Sequence, residues 1–81
     1  MGTEHLVEMA NDIGAYFAVE KDRAKACEGI RGHILRYWEP RMRQKLIDHF
    51  ERTRGDDLDG RVRDAVAALA RETRAPAPPH T

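Results

Sequence analysis

Apolar residues recur every three or four positions along nearly the whole chain, and no stretch shows the β-branched, two-residue alternation of a strand. This one feature leaves room for helices and little else. Leu6, Met9, Ala10, Ile13 and Phe17 form the first stripe, with Glu4, Glu8 and Asp12 mostly off it, which predicts a helix over about 3–18. Gly14 lies inside that helix. A glycine there costs about 1 kcal/mol relative to alanine, so the benefit that justifies it is close approach of another helix.

Asp22 is placed to N-cap a second helix by accepting from the backbone N–H of Ala24 or Lys25, and Ala26, Cys27, Ile30, Ile34 and Trp38 line one face of it. Gly29 and Gly32 either admit a neighbouring helix or simply weaken this one. Trp38-Glu39-Pro40 is a corner. Proline disfavours the helical region for the residue before it and suits the first position of a new helix, where its missing N–H is not needed. A third helix is expected over 40–53, with Met42, Leu46, His49 or Phe50 and Thr53 on one side and Gly55 as its end. Asp56-Asp57-Leu58-Asp59-Gly60 is turn chemistry, and Asp59 suits the N-cap of a fourth helix with the stripe Val62, Ala65, Val66 and Leu69, fading near Arg74. The expected fold is all-α: a small four-helix bundle, three main helices plus one C-terminal, in a single domain over 1–74. Residues 75–81 hold three of the four prolines and are expected to form a disordered, Pro-rich tail.

A chain of 81 residues buries only about 60% of the surface its unfolded form exposes, so its core is thin and a partner would help stabilise it. No apolar run approaches the roughly 20 residues needed to cross a bilayer. The first residues lack the basic and apolar regions of a secretory signal, and the single cysteine, Cys27, agrees with a reducing compartment, so the expected location is cytoplasmic. Formal net charge is zero, yet it is unevenly spread. Glu4, Glu8, Asp12, Glu20 and Asp22 against Lys21 give residues 1–22 a net −4, whereas Arg31, Arg36, Arg41, Arg43, Lys45, Arg52 and Arg54 against Glu39, Asp48 and Glu51 give residues 31–54 a net +4. Two readings follow: solvated helix faces that attract each other within the fold, or a surface for an anionic partner.

Catalytic chemistry finds little to work with. The chain has no serine, and Cys27 sits on an apolar helix face, where its pKa rises and its thiolate is disfavoured. His5, His33, His49 and His80 are spread over different segments; His33, His49 and Asp48 could meet, but they lack the spacing of a zinc site, and no metal is expected. A helix-turn-helix reading rests on the basic block with Tyr37 and Trp38, and the neutral overall charge argues against nucleic acid. The most informative local string is Trp38-Glu39-Pro40-Arg41-Met42-Arg43. Tryptophan and arginine are the residues most enriched at interface hot spots and methionine adds adaptable apolar surface, while the competing reading makes Trp38 the largest core side chain.

These residues resemble a known family. The run Leu6 to Phe17, with Met9-Ala10-Asn11, Ile13-Gly14 and Tyr16-Phe17, followed by Asp22-Arg23, Gly29-Ile30, His33, the string Tyr37 to Arg43, Leu46 and His49, is similar in order and spacing to the delta subunit of the cytosolic, NAD-dependent, molybdenum-containing formate dehydrogenase. The likeness spans roughly residues 4–70. It departs from the family pattern at Asp59-Gly60, where a Ser-Pro helix start is usual, and in the Pro-rich tail. The resemblance implies a non-catalytic accessory subunit with no cofactor of its own. Its partner would be the catalytic alpha subunit within an alpha-beta-gamma complex that carries molybdenum bis-guanine-dinucleotide cofactor, iron–sulfur clusters, FMN and NAD. The implied role is to support assembly, cofactor insertion or stability of that enzyme. Partner contact is expected from Trp38, Pro40, Arg41, Met42 and Arg43, with Tyr37, His33, Met9 and Asn11 from the same motif strings. A second reading has Arg41 and Arg43, at a helix N-terminus, holding phosphates of a guanine nucleotide or of the molybdenum cofactor during maturation.

Overall fold

The structure, a computed structural model, describes residues 2–74, and the tail expected over 75–81 lies outside the described residues. The segments form as the local chemistry dictates: α1 over Thr3–Tyr16, extended by a 3-10 turn over Phe17–Val19; α2 over Arg23–Tyr37; α3 over Pro40–Thr53; and α4 over Gly60–Arg74. Asp22 caps α2, its carboxylate accepting from Ala24 N–H at 2.9 Å and Lys25 N–H at 3.3 Å. Trp38 and Glu39 are both extended, and Pro40 opens α3 as the pre-proline restriction requires. Arg54 and Gly55 both adopt positive φ, at 63° and 73°, and the Arg54 N–H bonds back to Phe50 O, a left-handed close to α3 that only glycine adopts without strain at the second position.

The core joins all four helices: Leu6, Val7 and Ala10 of α1, Ile30 and Ile34 of α2, Leu46 and Ile47 of α3, and Val62, Ala65, Val66, Leu69 and Ala70 of α4, closed by Trp38 and Leu58 from the connections. The expected all-α four-helix bundle forms, and its C-terminal helix is central to the packing. α4 packs against α1, α2 and α3 alike, because its five small and branched core residues let three neighbours approach one face. Gly14 marks where α1 meets α4. It is buried, and a Cβ added there would overlap Val62 Cγ2, which is the tight helix crossing the sequence predicts.

Long side chains tie the helices together at their ends. Arg61 of α4 donates to Phe17 O at 3.2 Å and to Glu20 O at 2.6 Å, binding α4 to the 3-10 turn that ends the first helical segment and to the link after it. Arg23 donates to Asp64 at 2.9 Å, and Arg31, paired with Glu28 one turn away, reaches Glu72 at 3.0 Å, so α2 is bound to α4 along its length. The Arg31 guanidinium lowers the Glu28 carboxyl below its ordinary range, chiefly by hydrogen bonding. Within the mid-chain basic block, Arg31 is matched by acids of the fold, Glu28 and Glu72. No helix among the described residues is long and apolar enough to cross a membrane.

Candidate partner-docking surface

The residues expected to meet a partner divide sharply between the core and the surface. Trp38 is 6% exposed and belongs to the core, so the structure corrects its assignment as an exposed hot spot: the extended corner before Pro40 turns the indole inward, against the other large apolar side chains. Arg43 is turned inward as well. Its Nη1 donates to Trp38 O at 3.0 Å and Leu35 O at 3.2 Å, capping carbonyls at the C-terminus of α2, where a cation also suits the helix dipole. Met42 and Met9 are half-buried and pack against the core. Asn11 is a structural bridge: its side-chain amide donates to Asp57 O at 3.0 Å, and its Oδ1 accepts from Asp59 N–H at 2.9 Å, holding the α3–α4 connection onto α1.

Of the expected partner-contact residues, Pro40, Arg41 and Tyr37 are exposed and His33 is half-buried. Pro40 and Arg41 begin α3, while Tyr37 and His33 lie together near the end of α2 with ring centroids 4.8 Å apart. With Arg43 committed to main-chain carbonyls, Arg41 is the one exposed cation of the proposed phosphate-holding pair. His33, His49 and Asp48 do not meet: His49 pairs with Asp57 at 2.9 Å and Asp48 accepts from Gln44. No cluster of metal-ligating side chains occurs among the described residues.

What the structure brings together instead is an aromatic groove between α1 and α2. Asp12, Ile13, Tyr16, Phe17, His33 and Tyr37 line an open depression of about 600 Å³. A second, of about 300 Å³, continues from the same Phe17, His33 and Tyr37 toward Glu28 and Arg36. Phe17 is the shared wall. It reaches across to α2 because Gly29 has no side chain; a Cβ there would overlap the Phe17 ring. Gly32, by contrast, has open space above it. Tyr16 meets Phe17 edge-to-face with centroids 5.1 Å apart. Tyr16 is 77% exposed and Tyr37 66%, so two large rings flank the groove with most of their surface in water.

Asp12, Ile13, Tyr16 and Phe17 escape a reading based on the Trp38–Arg43 string. Their signal is positional: Tyr16 and Tyr37 are aromatic residues that stand off the apolar stripe of their own helix, and such rings either waste hydrophobic surface or meet something.

The chain is small and all-helical, and its large surface aromatics gather at one groove. The family model described as "NADH-dependant formate dehydrogenase delta subunit FdsD" matches residues 5–66. That covers most of the chain, which therefore belongs to the family of NADH-dependent formate dehydrogenase delta subunits. No curated protein and no solved structure matches it.

Proposed function

We propose that this chain is a non-catalytic accessory subunit that docks on the catalytic alpha subunit of its formate dehydrogenase through the α1–α2 aromatic face. One observation carries the reading: Tyr16 and Tyr37, at 77% and 66% exposure, flank a single groove on a chain whose family is that of an enzyme subunit. Tyrosine is among the residues that carry most binding energy at interfaces, since it buries a large rigid area for little lost conformational freedom. In the cytoplasm, such docking supports assembly, cofactor insertion or stability of an alpha-beta-gamma enzyme holding molybdenum bis-guanine-dinucleotide cofactor, iron–sulfur clusters, FMN and NAD. The small chain supplies shape, and the larger subunits hold the redox groups.

The test is recovery of formate dehydrogenase from native lysate on the tagged chain, comparing wild type with Tyr16→Ala/Tyr37→Ala. Hot-spot truncation costs about 2 kcal/mol or more, roughly thirtyfold in affinity, so the double variant should recover little NAD-dependent formate-oxidising activity while keeping its helical circular dichroism. Recovery equal to wild type would refute docking by this face. Molybdenum content of the recovered alpha subunit separates the two roles: apo subunit marks a maturation factor, loaded enzyme a resident subunit.

A further inference from the structure

The α1–α2 groove is chemically lopsided. Among the six residues lining its larger depression, Asp12 is the sole carboxylate, set beside the rings of Tyr16, Phe17 and Tyr37. The Asp12 carboxylate has no hydrogen-bond or ion-pair partner among the described residues, so the fold makes no use of its charge. Glu8 and Glu4 precede it at four-residue spacing on the same exposed face of α1, extending negative potential along the approach. On the other side of the shared aromatic wall lies Arg36 of α2.

Resting on the docking reading above, we propose that this depression receives a cationic side chain, arginine or lysine, presented by the partner protein. An aromatic ring carries negative potential on its face, and a cation held over one or more such faces is attracted most strongly when partly desolvated. The aliphatic stem of the incoming side chain lies along Ile13 and the rings, burying apolar area, while its charged head reaches Asp12. Arg36 and Glu28 set the direction: the Glu28 carboxylate of the smaller depression is already paired with Arg31, Arg36 repels a further cation there, and Asp12 is left as the counter-charge. An acidic or neutral partner segment would gain the ring contacts and leave Asp12 opposed or unpaired, so the groove discriminates by charge as well as by shape.

The experiment measures affinity of the full chain for the purified alpha-containing complex at low and moderate salt, with Asp12→Asn, Asp12→Arg, Tyr37→Ala and, as a control on the general acidic field, Glu8→Gln. Expected is a loss of about tenfold for Asp12→Asn, a larger one for Asp12→Arg, a loss for Tyr37→Ala and little change for Glu8→Gln, with unaltered thermal melting. If Tyr37→Ala weakens binding and Asp12→Asn binds as wild type, docking by the face survives and the cationic side chain is overturned. If Glu8→Gln costs as much as Asp12→Asn, the effect is diffuse steering and the pocket is overturned. If Asp12→Asn weakens binding and Tyr37→Ala does not, the aromatic part of the proposal is wrong. If no variant changes affinity, the groove is not the interface and both readings fail.

Discussion

Gly14 and Gly32 sit in helix interiors, and their surroundings give opposite outcomes for the same substitution. At Gly14 a methyl overlaps Val62, so the roughly 1 kcal/mol of helix propensity gained by alanine is set against about 1–3 kcal/mol of overpacking. Gly14→Ala should destabilise the chain by about 1 kcal/mol, and Gly32→Ala, with nothing near, should stabilise it by about 0.5–1 kcal/mol. Urea unfolding of the pair checks both signs. Cys27 gives a second expectation at this scale. Burial first, and the nearby Asp64 carboxylate second, push its thiol above the ordinary value, and its Sγ donates to Arg61 O at 3.5 Å. A raised pKa means less thiolate at a given pH, so alkylation by iodoacetamide at pH 8 should be slower in the folded chain than in urea; equal rates would contradict this environment. The sequence separated these glycines poorly. Gly14 announced a crossing by its place inside the first helix, whereas the difference between Gly29 and Gly32 depends on where Phe17 lands, a contact between distant segments.

Helix boundaries were legible because each is set by neighbours in sequence: Asp22 capping α2, Pro40 opening α3, Gly55 closing it. The fastenings between helices were not. Asn11, Arg43 and Arg61 each spend their polar atoms on main-chain groups of another element, and no periodicity encodes which carbonyl a long side chain will reach. For the same reason the Trp38–Arg43 string looked like a surface patch, when its tryptophan is core and its second arginine caps α2. Asn11→Ala tests the fastening of the α3–α4 connection. Removing two hydrogen bonds worth about 0.5–1.5 kcal/mol each should lower stability by about 1–2 kcal/mol, and the freed Asp59 amide should exchange faster with deuterium. Unchanged Asp59 exchange would mean that Asn11 is not what holds the connection.

At the scale of the whole molecule, four helices around a thin core leave one face whose aromatic rings the described residues do not cover. The all-α bundle follows from periodicity, and family membership from the order of short motifs, but the groove exists only once α1 and α2 lie side by side, with Gly29 clearing space for Phe17. The central claim is that this face is covered in the assembled enzyme. Hydroxyl-radical footprinting of the free chain and of the chain in its formate dehydrogenase complex reads that directly, with Leu35, 41% exposed, as an internal reference. The prediction is that Tyr16 and Tyr37 lose most of their reactivity in the complex while Leu35 keeps its own; Tyr16 and Tyr37 reacting in the complex as fast as in the free chain would contradict it.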